Sequence, residues 1–269
     1  MSYLTNKIVI ETEAPGAGVK SEQKLVVRPH ASTELGPMGT WRAPTVNRVT
    51  ETFPLLPAAS VAAGTSPFLV ATGTGTDIIT ADVKGGVNLK TQATTPTAGD
   101  NVLLSGVANT PFSFPVRDTE REIEMVINLT SISDITGSFG LNENVTDPDP
   151  AATAGDGVAL LADPDETVTT GLTAAQHANW IVAYKVNGAD TYAATDFPLV
   201  AGRDFHFRIA MAADYTCAVY INETLVGTSP ALTAGDTVKA FLGLQTNLTD
   251  AAGQRDFTTR LVSSDRIWK

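Results

Sequence analysis

Two segments of this chain alternate with a period of two, with only Val126 and Ala210 apolar on the polar parity. Arg121–Leu129 (REIEMVINL) sets Ile123, Met125, Ile127 and Leu129 on one parity and Glu122, Glu124 and Asn128 on the other. Phe205–Met211 (FHFRIAM) sets Phe205, Phe207, Ile209 and Met211 against His206 and Arg208. Side chains of an extended strand point alternately to opposite faces, so a strict period of two requires a sheet with one face on a core and one toward water. A helix would scatter the same residues around its circumference. Tyr215–Ile221, Trp180–Val186, Val238–Leu244 and Phe257–Val262 are further runs rich in β-branched and aromatic residues, bounded by Gly, Asp, Asn and Pro. They predict further strands.

The turns agree with that prediction. Asn187-Gly188 follows Trp180–Val186 and signals a two-residue hairpin. Asn222–Thr224 separates Cys217–Ile221 from Leu225–Gly227 in the same way. The string TAGDxV occurs at Thr97–Val102, Thr153–Val158 and Thr233–Val238. The spacings are unequal, so it reads as a reused turn rather than a repeat array: Gly tolerates positive φ, and Asp hydrogen-bonds nearby amides before a strand begins. One short helix is expected, with Thr173 capping and Gln176 reaching back, ending near Ala178. Asp147–Ala154 and Asp163–Glu166 read as exposed loops. Many short strands with almost no helix predict an all-β, two-sheet jelly-roll β-sandwich over residues 61–269, with at most one or two short helices.

Residues 1–60 follow a different pattern. They are thin in large apolar residues and are broken by Pro15, Pro29, Pro37, Pro44, Pro54 and Pro57. Such a stretch buries too little apolar surface to offset its ordering entropy, so it is expected to be an extended arm laid on a body or on a partner. Lys7–Thr12 and Lys24–Arg28 are its strand candidates, and the boundary falls at Ala58–Ala63. The residues expected to anchor the arm on a partner are Trp41, Phe53, Leu55 and Leu56, with Ile8, Ile10, Leu25 and Val27 on the two strands.

Charge separates the two parts further. The net charge is −11; the first 60 residues hold 6 Lys/Arg against 5 Asp/Glu, and the remainder holds 12 against 24. An acidic body argues against nucleic acid and anionic membranes as partners. Cys217 is the only cysteine, which excludes an intramolecular disulfide framework, and its place on a core strand predicts burial. Met1–Ile10 lacks the pattern of a signal peptide, and no run approaches the ~20 apolar residues of a membrane helix. The chain is therefore expected to be made in the cytoplasm. The sequons at Asn128, Asn144, Asn222 and Asn247 are read as a by-product of Thr-rich strands.

A resemblance adds to this picture. Asp204–Gly227 (DFHFRIAMAADYTCAVYINETLVG) followed by Phe241–Asn247 (FLGLQTN) resembles the late hairpins of concanavalin A-like (laminin G-like) jelly rolls. Gly85–Thr91 (GGVNLKT) is similar to the early strand of such domains in virion proteins of tailed phages. The similarity spans roughly Val83–Trp268, and it departs from the usual pattern at Asn222-Glu223, where Asn-Gly is common. An arm joined to an acidic jelly roll resembles a capsid decoration (cement) protein or a head fibre. The resemblance implies a non-enzymatic virion structural protein on the capsid surface, partnered by the major capsid protein or other virion subunits and commonly trimeric. A carbohydrate-binding tail-fibre or adhesin module, with a glycan as partner, is the alternative it leaves open, and a jelly-roll glycosidase stands behind that.

The chemistry visible in the sequence is sparse. His30, His177 and His206 are scattered and offer no zinc spacing. No G-x-S-x-G occurs, and Gly73-Thr74-Gly75-Thr76 lacks the third glycine of a dinucleotide fingerprint. Glu120, Glu122 and Glu124 share one parity of a strand. The laminarinase-like glycosidases of the same jelly roll carry an E-x-D-x-E strand, a resemblance that would make Glu120 the nucleophile and Glu124 the acid/base. Here Glu122 replaces the central Asp and Arg121 replaces an apolar residue. Positions i and i+4 of a regular strand stand ~13 Å apart at Cα, whereas retaining carboxyls need about 5–5.5 Å. The expected role is a solvated acidic face near Arg117 and Arg121. Asp147, Asp149, Asp163, Asp165 and Glu166 are oxygen ligands of the type Ca²⁺ takes, but without an EF-hand pattern they are expected to be solvated. Trp180, Tyr184, Tyr192 and Tyr220 would form a sugar-stacking platform only if they cluster at a rim; core or sheet-face roles are expected. No catalytic, cofactor-binding or metal-binding residue is assigned.

Overall fold

The computed structural model describes residues 8–12, 21–25, 46–51, 56–57, 66, 68–73, 78–82, 86–91, 98–116, 120–149, 153–247 and 256–267. The chain divides into two compact units, Met1–Asn47 with Ile267–Lys269, and Arg48–Arg266. The first unit holds an antiparallel hairpin of β1 (Ile8–Thr12) and β2 (Ser21–Leu25), in register from Ile8↔Leu25 to Thr12↔Ser21, besides Val46 and Asn47, which open a strand of the larger unit, and Ile267, which closes another. The second strand thus starts three residues before the expected Lys24–Arg28. Ile8, Ile10 and Leu25 lie on this hairpin, while Val27, Trp41, Phe53 and Leu55 lie outside the described residues.

The larger unit contains the sandwich. Its strands are β3 (Val46–Glu51), β4 (Leu69–Gly73), β5 (Ile78–Ala81), β6 (Val87–Lys90), β7 (Asn101–Gly106), β8 (Ser113–Pro115), β9 (Glu120–Leu129), β10 (Ile135–Asn142), β11 (Gly157–Ala162), β12 (Asn179–Val186), β13 (Ala189–Pro198), β14 (Asp204–Met211), β15 (Cys217–Ile221), β16 (Thr224–Thr228), β17 (Thr237–Thr246) and β18 (Asp256–Ile267). The first sheet runs β13-β12-β11-β10-β17-β7-β4, with β8 on β17; the second runs β16-β15-β14-β9-β18-β6-β5, with β3 on β18. The chain crosses repeatedly between sheets, as the jelly-roll expectation requires.

The inward parities meet in one core. Ile123, Met125, Ile127 and Leu129 of β9 and Phe205, Phe207, Ile209 and Met211 of β14 are all buried, as their alternation predicts. At the centre the Trp180 indole meets Phe207 edge-on at 4.7 Å and Phe205 at 5.5 Å, and Phe139 stacks on Phe207 at 6.1 Å. Trp180 and Phe139 come from the first sheet and the two other rings from the second, so these contacts tie the sheets together. Leu56 is half-buried against this core, and its carbonyl accepts the Ser66 N–H at 3.0 Å.

Local chemistry explains the turns. Asn187 and Gly188 take φ 52° and 76°, the two left-handed positions of a type I′ turn, and close β12 on β13 at Val186↔Ala189. The TAGDxV glycines Gly99, Gly155 and Gly235 sit at φ 93°, 94° and 94°. Asp156 reaches further than its own turn: it accepts the Asn187 N–H at 3.0 Å and the Thr233 N–H and hydroxyl at 2.7 and 2.8 Å. One carboxylate thus joins two copies of the motif to the Asn187 hairpin. Helix α1 (Ala174–His177) starts as predicted, with the Thr173 N–H donating to Gln176 Oε1 at 2.8 Å, and Ala178 caps its end. Tyr215, in contrast, is not strand: its φ of 69° places it in a turn, and β15 begins at Cys217.

Cys217 is fully buried, and burial pushes its thiol up to about 12. The native protein should therefore resist alkylation near neutral pH and react only on unfolding. Thiol titration with and without denaturant checks this, and rapid native labelling would contradict the packing around β15.

Candidate functional site

The two outer faces of the sandwich differ. Over the first sheet, Leu161, Ile181 and Ala183 point away from the main core yet are buried, under Val168, Leu172 and Tyr192. Every residue of β10 and β11 is buried. Pro148 lies over Gly243 of β17, where an added Cβ would stand 3.0 Å from Pro148 Cα, and Ser138 donates its hydroxyl to the Pro148 carbonyl. Loops therefore cover this face.

These loops contain the acidic residues that were expected to be solvated, and the structure corrects that expectation for two of them. Asp163 is fully buried and Asp149 is nearly so. Asp163 Oδ1 accepts the Thr167 N–H and hydroxyl at 2.9 and 2.8 Å; Oδ2 accepts Val168 N–H, Thr169 N–H and the Thr169 hydroxyl at 3.2, 3.0 and 2.9 Å. Burial alone would raise its pKa, but these donors outweigh burial and hold the carboxyl below its usual range. Asp149 accepts the Tyr192 hydroxyl at 2.9 Å, and burial followed by this acidic neighbour pushes the Tyr192 phenol up. Asp165 accepts the Ile135 N–H at 2.9 Å. Their oxygens hold loops in place. Among the described residues, no group of three or more His, Cys, Asp or Glu is placed to hold a metal.

The second sheet carries a polar outer face over β9, β14, β15 and β16. The register sets Glu124 opposite Arg208, Arg208 opposite Tyr220, and Tyr220 opposite Leu225, one row across four strands. The Arg208 guanidinium lies 3.7 Å from the Tyr220 ring centre, and Nη1 donates to Glu122 Oε2 at 2.9 Å. Glu223 closes the cluster from the turn, 3.4 Å from Arg208 Nη2 and 3.0 Å from His206 Nδ1, while His206 Nε2 stands 3.7 Å from Glu124. Burial, with the like charge of Glu124 beside it, outweighs Arg208 and leaves the Glu122 pKa raised. For Arg208, burial works against the charge, but Glu122 and Glu223 overcome it and the pKa is raised.

This face brings Arg208, Tyr220, His206 and the glutamates Glu122, Glu124 and Glu223 together. β9 pairs with β14 in unbroken register from Arg121 to Asn128, and Glu120 and Glu124 lie four residues apart on that strand, ~13 Å at Cα for regular geometry. Glu122, between them, is bonded to Arg208. The four candidate platform aromatics do not come together. Trp180 is in the core, Tyr184 packs against that core, Tyr192 lies in the small cluster over the first sheet, and Tyr220 is on the outer face of the second.

Glu223 was not singled out from the sequence. Its signal is the Asn-Glu pair at a turn that favours Asn-Gly: Asn222 and Glu223 take φ 48° and 65°. A left-handed Glu costs about 1 kcal/mol or more, and exposed ion pairs return roughly 0–1 kcal/mol. Glu223→Gly should thus leave stability unchanged or raise it by a few tenths of a kcal/mol. Denaturant melts check this, and a clear loss would mean that the His206 and Arg208 contacts outweigh the strain.

No family model and no curated protein matches this sequence. Solved structures do. A β-glucanase from Bacillus licheniformis has TM-score 0.52 and 11% identity, covering 82% of this chain and 98% of its own. A winged bean acidic lectin, solved with methyl-α-D-galactose, has the same values: TM-score 0.52, 11% identity and coverage of 82% and 98%. A protein of unknown function from Shewanella oneidensis has TM-score 0.54 and 13% identity, covering 82% and 86%. With the two antiparallel sheets described above, these likenesses define the class: the chain has the concanavalin A-like jelly-roll β-sandwich fold.

Proposed function

We propose that this chain is a non-enzymatic structural protein of the virion, of the capsid-decoration type, which attaches through its N-terminal unit and displays the acidic sandwich outward. One observation carries this reading: Met1–Asn47 groups as a unit of its own whose described structure, apart from the first two residues of β3, is a two-stranded hairpin. A two-stranded hairpin is marginal in water unless further strands or packing complete it. A partner subunit supplies that completion, and the sandwich, with its own continuous core, does not depend on it. The virion assignment rests on the resemblance of Gly85–Thr91 to the early strand of virion jelly rolls, and of an extended arm joined to an acidic jelly roll to capsid decoration proteins. The non-enzymatic part is supported by the regular β9 register, which keeps Glu120 and Glu124 apart.

The test is mass spectrometry of density-banded particles from cells producing the chain. Its peptides should band with the particles in stoichiometric amounts. Recovery only in the soluble fraction would overturn the reading.

A second reading is favoured by the polar row on the second sheet. Guanidinium, phenol, carboxylates and imidazole side by side suit hydroxyl-rich ligands, so the sandwich is alternatively a carbohydrate-binding module of a tail fibre or adhesin. That reading expects glycan-array binding by the wild type and its loss in Arg208→Ala; an array without hits would end it.

A further inference from the structure

We propose that the Asp163-Pro164 peptide bond is a self-cleavage site, at which the Asp163 carboxylate is the nucleophile and the His177 ring and the Glu166 amide stabilise the charge that develops on the carbonyl oxygen. The inference concerns the sandwich alone and does not depend on the attachment reading above.

A peptide bond to proline is a tertiary amide, and its nitrogen leaves more readily once protonated than that of an ordinary peptide bond. An aspartate before proline holds its carboxylate within reach of its own main-chain carbonyl carbon, so the attack is intramolecular. The chain contains three such pairs, Asp147-Pro148, Asp149-Pro150 and Asp163-Pro164. The surroundings of the third set it apart.

Asp163 follows directly on β11 and is fully buried. Two donors converge on its main-chain carbonyl oxygen. His177 Nδ1 stands at 2.7 Å, and because a carbonyl only accepts, the ring presents its N–H there. The Glu166 N–H donates to the same oxygen at 3.3 Å. Donors fixed on a carbonyl oxygen stabilise the oxyanion that forms when its carbon is attacked. The carboxylate of the same residue lies beside them, with Oδ2 3.6 Å from His177 Nδ1. Five donors from Thr167, Val168 and Thr169 fix its direction and favour its ionised form. Glu166 takes φ 57°, a strained left-handed position for a residue with a Cβ, and a cut at Asp163-Pro164 frees the turn that imposes it. Pro164 is half-buried and Asp165 and Glu166 are exposed, so water reaches the bond.

The step balances with water alone. A carboxylate oxygen of Asp163 bonds to the main-chain carbonyl carbon, and the negative charge passes to the carbonyl oxygen under His177 and Glu166. Collapse breaks the bond to the Pro164 nitrogen, which takes a proton from solvent and leaves as a secondary amine. Water opens the cyclic anhydride left on Asp163. One piece then ends at Asp163 and the other begins at Pro164. β11 pairs with β10 on one side and β12 on the other, so both pieces stay in one sheet.

Intact-mass spectrometry of the purified full chain, incubated in buffer near neutral pH, tests this. Cleavage at Asp163-Pro164 should run about tenfold or more faster than at Asp147-Pro148 or Asp149-Pro150 of the same molecules, and urea, which disperses the donors, should erase the preference. His177→Leu should slow it by about tenfold or more. Pro164→Ala should abolish it while the chain still melts cooperatively. If His177→Leu does not fold, the comparison of native with urea-treated wild type decides. A chain that stays whole, equal cleavage at the three bonds in the folded protein, or an undiminished rate in folded His177→Leu would overturn the inference.

Discussion

Trp180→Ala should lower the stability of the sandwich by about 3–5 kcal/mol, the range for a fully buried aromatic removed from a packed core. The indole touches Phe205 and Phe207 of the opposite sheet, so the cavity would open at the seam that joins the layers. For a unit of this size each kcal/mol is worth roughly 2–4 °C in Tm, so the loss should be about 6–20 °C. Trp180→Phe is the control. The Trp180 N–H is buried without a partner, and phenylalanine removes that group while keeping a ring in place. It should cost much less than alanine, and equal losses in the two variants would contradict a packing role.

Asp163→Ala should cost about 3 kcal/mol or more, because it removes at once the acceptor of the Thr167, Val168 and Thr169 amides, that of Thr169 fully buried, and of the Thr167 and Thr169 hydroxyls. Those amides begin the segment that covers Leu161, Ile181 and Ala183, so the loss should be accompanied by faster exchange across the outer side of β11 and β12. Asp163→Asn keeps the shape and should cost less. The pH dependence has a definite sign. The folded carboxyl is held below its usual range, so its contribution is present above the unfolded value of roughly 3.9 and is lost as pH falls through the folded value. The stability gap between wild type and Asp163→Asn should narrow from neutral pH toward pH ~3 in urea melts; a gap that widens on acidification would contradict the donor geometry.

Strands with one solvated face were legible in the sequence. β9 and β14 alternate because one side of each meets water, and Asn187-Gly188 and the TAGDxV turns were readable because few residues tolerate positive φ. The centre of the first sheet was not. β7, β10 and β11 read Asn101–Gly106, Ile135–Asn142 and Gly157–Ala162, and all their residues are buried, so no alternation marked them. The same covering misled the reading of the acidic loops. An Asp-rich stretch looks alike in sequence whether it faces water or folds inward. For Asp163 the usable signal was local: Thr167 and Thr169 follow at the right distance for their hydroxyls and amides to turn back onto it.

At the polar row the sequence showed the parity of Glu122, Glu124, His206 and Arg208 but not their partners, since register across β9, β14, β15 and β16 comes from pairing over long chain separations. An unbroken ladder spreads the glutamates along β9, and Arg208 stands among carboxylates.

On the proposed reading, attachment belongs to the N-terminal unit and the sandwich folds without it. Deleting residues 1–47 and assaying co-banding with virions, alongside a thermal melt of the truncated chain, tests it most directly. The expected result is a cooperative melt from the sandwich together with loss of particle binding. Full binding by the truncated chain would contradict it.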